Sequence, residues 1–196
     1  PDPELSTETF IERGNQILVD LEPDLQKRGW DLDISEVWNQ WQESSCLIQK
    51  HCTELPTGLI HADAWPANIK CQKEEAVALM DFDDCCYEPR LFDLAVVLLE
   101  FSMFESAKFD TGLATALFSG FFAAGGKLTD LEQSLLLPAM EMACALFLEY
   151  YIVQEPECFF TLINLNRLNL FADSQKRADL EARIADCLEQ ARKGKR

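Results

Sequence analysis

The chain has 196 residues and carries 17 Lys and Arg against 34 Asp and Glu, which gives a formal net charge of −17. Its hydrophobic share of 48% is enough for a packed core and too high for a disordered chain. The acidic charge argues against a nucleic-acid partner, which requires clustered Lys and Arg, and against an anionic membrane surface.

The cysteine pattern indicates a cytoplasmic protein. Eight cysteines lie within apolar or helical stretches of a chain without a recognisable signal peptide, so we expect reduced and mostly buried thiols. No Cys-x-x-Cys motif of a zinc ribbon occurs. The longest apolar run, over residues 135–153, is interrupted by Pro138, Glu141 and Glu149. It therefore predicts a buried core helix and no membrane span.

Two helices are predicted in the first part of the chain. Apolar residues recur at helical spacing over residues 4–21 and again over residues 33–52. The sequence Leu-Pro-Thr-Gly at residues 55–58 is a turn signal that ends this lead-in part. Residues 59–61 then form a short extended run that enters a loop.

A small β-hairpin is predicted next, with strands over residues 67–72 and 76–82. From residue 91 onward the pattern is helical, and Thr129 with Glu132 has the spacing of a capping box. The predicted helices cover residues 91–105, 110–124, 129–153, 157–171 and 174–193. This order predicts an α+β, mostly α fold and excludes a doubly wound sheet, in which strands and helices alternate. The aromatic residues expected in the core are Trp30, Trp38, Trp41, Phe118, Phe121 and Phe122.

The residues with possible chemistry lie in the loop after the extended run and at the end of the hairpin. Asp63 precedes Asn68 by five positions, and the second predicted strand ends in Asp81, with Asp83 and Asp84 close behind. Three acids within four residues repel one another, and a divalent cation is one common way to stabilise such a cluster. A solvated acidic turn is the alternative interpretation.

The two stretches together indicate phosphoryl transfer. That reaction in a kinase requires a carboxylate that accepts the proton of the substrate hydroxyl, and an Asn and a second Asp that hold Mg²⁺ against the phosphates. Protein kinases place the Asn five residues after the catalytic Asp and an Asp-Phe-Gly on the next hairpin. Asp63, Asn68 and Asp81-Phe82 follow that order and spacing, with a hairpin between them.

The segment resembles the catalytic core of the aminoglycoside phosphotransferase and choline kinase family, the small-molecule relatives of protein kinases. The matching motifs are His61-Ala62-Asp63 for the family's His-Gly-Asp, Pro66-Ala67-Asn68 for Pro-x-Asn, Asp81-Phe82-Asp83 for Asp-Phe-Asp, and Asp93-Leu94-Ala95 for Asp-Leu-Ala. Within the family, residues 55–63 and the helices that follow are closest in style to bacterial type II homoserine kinases. Two departures, Ala64-Trp65 and the segment at residues 83–86, leave the acceptor open.

The resemblance implies a role for each residue of these motifs. Asp63 is the expected catalytic carboxylate, and Asn68 and Asp81 are the expected Mg²⁺ ligands. Asp83 either contacts the metal or a cationic substrate, or has only a turn role.

Two further residues are expected to support the loop. By the same resemblance, His61 packs beneath the catalytic loop and bonds to backbone, so it is not a base. Asp93 is expected to hold the loop through hydrogen bonds to its backbone. His51 is expected on a helix surface.

The resemblance also predicts how the chain is organised. Residues 1–196 form one domain, the C-terminal catalytic lobe of a protein-kinase-like fold, with lead-in helices at 1–54, the catalytic loop and metal hairpin at 55–90, and a helical subdomain at 91–196. Neither the phosphate-covering Gly-rich loop nor the strand Lys of a nucleotide-binding lobe precedes residue 59. We therefore expect the N-terminal lobe to be missing and this chain alone to be inactive, and the start at Pro1 without Met agrees with a fragment or a processed product.

The predicted function is an ATP-dependent phosphotransferase that uses Mg²⁺ and transfers the γ-phosphoryl group to a hydroxyl of a small metabolite. Acidic walls around the site suit an amine-bearing acceptor that is homoserine-like, choline-like or aminoglycoside-like. Three alternatives stay open: a protein Ser/Thr kinase of the same family, a detached or pseudokinase lobe that acts as a binding module, and a phosphatase with an Asp nucleophile. The last would require Thr where Cys85 stands and alternating strands and helices afterwards.

Overall fold

The computed structural model describes residues 34–73, 75–104, 108–154 and 159–194. The helix predicted over residues 4–21 lies outside this range, as do the side chains of Trp30 and Trp38. The elements are α1 (Ile34–His51), β1 (Thr57–Ile60), β2 (Ile69–Gln72), β3 (Glu75–Leu79), β4 (Cys86–Pro89), α2 (Leu91–Ser102), α3 (Thr111–Ala123), α4 (Asp130–Ser134), α5 (Leu136–Gln154), α6 (Phe159–Ala172) and α7 (Ser174–Lys193). The predicted order of lead-in helix, hairpin and helical part is therefore confirmed.

The prediction of one long helix over residues 129–153 is wrong in one respect, because the segment is split into α4 and α5. The capping box of Thr129 and Glu132 starts α4 as predicted, but Leu135 leaves the helical conformation with φ −100° and ψ 1°. Pro138 explains the break. It has no N–H for the carbonyl of Ser134, and its ring would clash with that carbonyl in a continuous helix.

The strands form two separate antiparallel pairs. The predicted hairpin is present as β2 and β3, with Ile69 opposite Leu79, whereas the Pro66–Asn68 segment before it is a single 3₁₀ turn. The second pair joins β1 to β4, with Thr57 opposite Pro89. We did not predict β4, because this four-residue strand lacks a clear alternation and is recognisable only by its pairing with β1.

Helix α5 is the centre of the helical part. It packs against α1, α2 and α6, while α3 packs against α7. The sequence of α5 is mostly apolar around the helix, with Glu141 as a buried exception, as expected for a helix that packs against three others. Of the aromatic residues predicted for the core, Trp41, Phe118 and Phe122 are buried and Phe121 is partly buried.

A buried ion pair joins α2 to α6. Arg167 is 1% exposed, and its guanidinium donates to the carboxylate of Glu100 at 2.6 Å and to Asn164 Oδ1 at 2.9 Å. It also donates to the backbone carbonyls of Leu99 and Met103 at 3.0 and 2.9 Å. Met103 directly follows α2, and the carbonyl of Leu99 also accepts from the backbone N–H of Met103 at 3.2 Å, so Arg167 adds side-chain donors at the C-terminal end of α2.

A second buried carboxylate joins α5 to α1 and α7. Glu141 is 1% exposed, accepts a hydrogen bond from the hydroxyl of Ser44, and accepts another from Arg177 Nε at 2.7 Å. Gln40 Nε2 lies 3.5 Å from the same carboxylate. Burial raises the pKa of Glu141 above its usual range, because the loss of solvation outweighs the attraction of Arg177 and the hydrogen bonds.

This shift predicts a pH-dependent stability that Glu141→Gln removes. The folded protein holds the Glu141 proton to higher pH than the unfolded chain does, whose Glu pKa is about 4.3. Acidification from pH 7 towards pH 5 therefore favours the folded state at this site. We expect the free energy of unfolding of the original chain, minus that of Glu141→Gln, to increase as the pH falls, measured by urea denaturation. A difference that stays constant over this range would contradict the pKa direction.

The cysteines correct one expectation. Among the described residues they are free thiols, but only Cys144 and Cys187 are buried, whereas Cys46 and Cys71 are exposed. The expectation of mostly buried thiols is therefore wrong, because short strands and a surface helix carry several of them.

His51 lies at the C-terminus of α1 and is partly buried, and its Nδ1 is 2.8 Å from Glu54 Oε1.

Within the described ranges, no helix combines the length and the apolar character that crossing a bilayer requires.

Six large apolar side chains between β1 and β4 are exposed. Leu59 and Tyr87 stand opposite each other in the β1–β4 pair and are 76% and 72% exposed. The six residues, called the exposed apolar group below, are Leu59, Val77, Leu79, Met80, Phe82 and Tyr87. They lie within 29 residues of the chain, on both strand pairs and in the turn after β3.

Candidate active site

The candidate site is a cavity of about 520 Å³ between the loop after β1, the acidic turn after β3, and helices α2 and α5. Three of the predicted site residues, Asp63, Asn68 and Asp81, contribute to its lining. They come from two segments of the chain, the loop after β1 and the turn after β3, which the fold brings to one cavity.

Asp63 and Asn68 are joined directly. Pro66 opens the 3₁₀ turn that ends at Asn68, and its fixed φ suits the first position of such a turn. The turn places Asn68 Nδ2 2.8 Å from Asp63 Oδ2 and 3.0 Å from the backbone carbonyl of Asp63. Asn68 is buried and uses its amide nitrogen for Asp63, which leaves its side-chain oxygen available as a ligand.

The electrostatic environment disfavours the charged form of Asp63. Burial is the largest cause that raises the pKa of Asp63 above its usual range. The hydrogen bond from Asn68 opposes this rise. The nearby carboxylates of Asp84 and Asp81 add to it through charge repulsion. A cation in the cavity would relieve this repulsion.

His61 lies beneath the loop. It is 4% exposed, and its Nε2 is 2.9 Å from the backbone carbonyl of Met80, which directly follows β3. Its Nδ1 accepts a hydrogen bond from the backbone N–H of Asp63 at 3.3 Å, so the ring proton is on Nε2. The ring of Phe82 packs on it edge-on, with centroids 4.7 Å apart. With both ring nitrogens bonded to backbone, His61 has the contacts that its predicted supporting role requires.

Asp93 binds the backbone of the same loop. Its carboxylate accepts hydrogen bonds from the N–H of His61 at 2.9 Å and from the N–H of Ala62 at 2.8 Å. It stands in the first turn of α2, where a negative charge also interacts favourably with the helix dipole. Two backbone donors held by one carboxylate fix the direction in which the chain leaves β1 towards Asp63.

Ala62 occupies a left-handed conformation with φ +65°. The left-handed conformation costs a residue with a Cβ about 1–2 kcal/mol, whereas glycine adopts it without this cost. The family motif has Gly at this position, so Ala62 marks a strained point of the loop. The two hydrogen bonds of Asp93 hold the strained peptide in place.

We expect Ala62→Gly to raise the free energy of unfolding by about 1 kcal/mol, because the strain of a Cβ at positive φ exceeds the added flexibility of glycine in the unfolded chain. Urea denaturation of both chains measures the change. Ala185→Gly, at an exposed interior position of helix α7, is the matched control and is expected to lower stability. A loss of stability in Ala62→Gly as large as in the control would contradict the strain at Ala62.

The acidic turn places its three carboxylates differently. Asp81 has φ +62°, a conformation that Asp tolerates better than most residues. All three are exposed, but Asp81 and Asp84 line the cavity and Asp83 does not. The sequence interpretation singled out Asp83 and passed over Asp84. The only signal for Asp84 was its membership of the acid cluster.

An aromatic wall closes another part of the cavity and was not predicted. Trp65 on the catalytic loop and Tyr151 near the end of α5 both line the cavity and both contact Phe160 of α6. The Trp65 and Phe160 rings meet edge-on at 5.4 Å, and Tyr151 stacks on Phe160 at 4.9 Å. The sequence does contain two aromatic doublets, at residues 150–151 and 159–160. Both lie in predicted helices, where aromatic residues were assigned to the core.

The chain belongs to the phosphotransferase enzyme family, whose family profile matches residues 5–128. The mostly helical α+β fold and the kinase-like family predicted from the sequence are therefore confirmed. Homoserine kinase of Gluconobacter oxydans (strain 621H) is 30% identical over 95 residues, which are 48% of this chain and 30% of that protein. Homoserine kinase of Beijerinckia indica subsp. indica is 33% identical over 92 residues, which are 47% of this chain and 28% of that protein.

A solved structure shows the same fold. The Plasmodium vivax ethanolamine kinase Pv091845 superposes with a TM-score of 0.53 at 16% sequence identity, over 86% of this chain and 49% of that chain. The chain thus spans about half of this structural neighbour and the matches span about a third of the curated relatives.

Proposed function

We propose that this chain is the catalytic lobe, over residues 1–196, of an ATP-dependent kinase that phosphorylates a hydroxyl of a small amine-bearing metabolite. The observation that carries the proposal is the contact of Asp63 with Asn68 in a cavity that Asp81 also lines. The names of the relatives support a small-molecule acceptor, since homoserine and ethanolamine each carry an amine and a hydroxyl.

Asp63 is proposed as the residue that accepts the proton of the acceptor hydroxyl. The hydroxyl oxygen attacks the γ-phosphorus and its bond to phosphorus forms, while ADP leaves as the bond to the β-phosphate oxygen breaks; Asp63 takes the hydroxyl proton late in this step. The half-buried carboxylate is oriented for this by the hydrogen bond from Asn68 and by the loop that Asp93 holds. Proton acceptance by such a group contributes about 10²–10⁴-fold to the rate.

The residues fit a magnesium site. Among the described residues, no group of three His, Cys, Asp or Glu side chains is arranged to hold a metal ion unaided. Mg²⁺ requires no such cage, because it binds through one or two carboxylates together with phosphates and water. Asn68 and Asp81 offer the hard oxygen ligands, whereas Asp83 does not line the cavity and is assigned the turn role. Bound there, Mg²⁺ supplies charge neutralisation for the transferred phosphoryl group.

A nucleotide-binding lobe from outside this chain is proposed to complete the site. No Lys or Arg lines the cavity among the described residues, so the positive charge for ATP phosphates has to come from elsewhere. The exposed apolar group is proposed as the surface that this lobe covers, since it lies on the strands next to Asp63 and Asp81. The chain alone is then expected to be inactive, and the protein to be cytoplasmic.

A phosphorylation screen of the complete gene product tests the proposal. ADP release with ATP and Mg²⁺ is measured against amino alcohols, hydroxy amino acids, aminoglycosides and a protein Ser/Thr substrate. Turnover of a small hydroxyl compound supports the metabolite kinase. Turnover of the protein substrate alone favours a protein kinase, and ligand binding without any turnover favours a pseudokinase or a binding module.

A further inference from the structure

Trp65 lies in the catalytic loop between Asp63 and Asn68 and is bonded to both through its backbone. Its N–H donates to the carbonyl of Asp63 at 3.1 Å, and its carbonyl accepts from the N–H of Asn68 at 3.0 Å. A movement of Trp65 therefore changes how the side chains of Asp63 and Asn68 face each other. Their contact, from Nδ2 to Oδ2 at 2.8 Å, is the one on which the proposed function depends.

The indole ring of Trp65 is held by Phe160 of α6. The two rings meet edge-on, with centroids 5.4 Å apart and an angle of 87° between their planes. Phe160 also stacks on Tyr151 of α5, with centroids 4.9 Å apart and an angle of 19°. Edge-on and stacked arrangements are the favoured geometries of aromatic pairs. The three rings therefore join the loop to two helices.

Phe160 differs from these two partners in its place relative to the cavity. Trp65 and Tyr151 line the cavity, whereas Phe160 stands outside its described lining. Phe160 is partly buried, and its ring also meets those of Phe159 and Phe104, with centroids 5.5 and 6.3 Å away. It can therefore influence a molecule in the cavity only through the rings that it supports.

We infer that Phe160 is a positioning residue of the phosphoryl-transfer site and acts by holding Trp65. Asp93 fixes the part of the loop before Asp63 through backbone hydrogen bonds, and Phe160 fixes the part after it. Between these two points the carboxylate of Asp63 is kept in contact with Asn68. The kinetic side of this inference rests on the proposed function, because it concerns the rate of that reaction.

Phe160→Leu in the complete gene product is expected to lower kcat about tenfold, since a displacement of about 1 Å near the reacting groups can cost about 10²-fold. The KM values are expected to change less than about twofold, because Phe160 does not bind substrate. Rates are measured with ATP, Mg²⁺ and the better acceptor of ethanolamine and homoserine. A kcat within about twofold of the original would overturn the inference.

Two matched variants separate positioning from loss of stability. Phe160→Tyr keeps the ring and is expected to retain about half of the rate or more. Phe118→Leu removes a fully buried ring from α3, outside the described lining, and is expected to lower stability but to keep kcat. A loss of kcat in Phe118→Leu as large as in Phe160→Leu would overturn the positioning role.

The double variant of Trp65→Leu and Phe160→Leu tests the route of the effect. If Phe160 acts through Trp65, its replacement adds less than about twofold to the loss that Trp65→Leu causes alone. A further loss as large as that of the single variant Phe160→Leu would overturn the inference. The effect would then pass through another contact, such as the one with Tyr151.

Hydrogen exchange follows the loop without any turnover and so separates this inference from the proposed function. Mass spectrometry of residues 61–69 in the complete gene product is expected to show at least about threefold faster exchange in Phe160→Leu, because the N–H groups of Trp65 and Asn68 lose protection. Phe160→Tyr and Phe118→Leu are expected to leave this segment unchanged. Unchanged exchange in Phe160→Leu would overturn the inference, whereas absence of phosphorylation with every acceptor would end only the proposed kinase function.

Discussion

Asp63→Ala in the complete gene product is expected to lower kcat by about 10²- to 10⁴-fold while the fold stays intact. The physical reason is the loss of the carboxylate that orients the acceptor hydroxyl and takes its proton. The fold is expected to survive because Asp63 is only partly buried. The backbone carbonyl at this position can still accept from Asn68. Initial rates of ADP release measure the effect, and thermal unfolding followed by circular dichroism checks the fold.

The matched control for this variant is Asp186→Ala. Asp186 is an exposed Asp on α7, away from the cavity, and its removal changes the net charge by the same amount. The control is expected to keep the original rate. Retention of more than about a tenth of the rate in Asp63→Ala would exclude Asp63 as the catalytic carboxylate.

The second large effect is expected at Arg167, far from the chemistry. Arg167→Met should lower the free energy of unfolding by about 3–5 kcal/mol, because it leaves the carboxylate of Glu100 buried without its partner. It also removes the donors that bind the carbonyls of Leu99 and Met103. Urea denaturation of the purified chain measures the loss.

Two companion variants isolate the cause. Glu100→Gln combined with Arg167→Met removes the buried charge that the single variant leaves behind, so the double variant is expected to recover part of the stability. Arg183→Met breaks only the exposed pair with Asp179 and is expected to cost at most about 1 kcal/mol. A loss of less than about 1 kcal/mol in Arg167→Met would show that the buried pair contributes little.

The predicted parts of the site are those whose chemistry is concentrated in a short stretch of sequence. Asp63 and Asn68 are five residues apart, and the order and spacing of the kinase motif assigned them to one site, although the 3₁₀ turn that ends at Asn68 was not predicted. The hairpin was predictable for the same reason. Strand β4 was not, because four residues without alternation become a strand only through pairing with β1. Asp84 and the aromatic wall depend on how distant elements pack.

The buried charges could not be predicted for a related reason. Glu100 and Arg167 are 67 positions apart, and Ser44 and Glu141 are 97 apart. Each of these charged residues lies in a helix whose pattern is explained without it. Only tertiary packing decides whether such a charge reaches solvent or a partner. The break at Leu135 was partly predictable. Pro138 is a helix-breaking residue in the sequence, but the capping box at Thr129 led to the prediction of one continuous helix.

The exposed apolar group determines how the isolated chain behaves in solution. Its six side chains favour self-association, and the net charge of −17 opposes it through repulsion between chains. Salt weakens only the repulsion, since the screening length falls from about 10 Å at 0.1 M to about 3 Å at 1 M. We therefore expect the isolated chain to stay monomeric at low ionic strength and to form oligomers as the ionic strength rises. A lobe that covers the exposed apolar group would remove this dependence on salt.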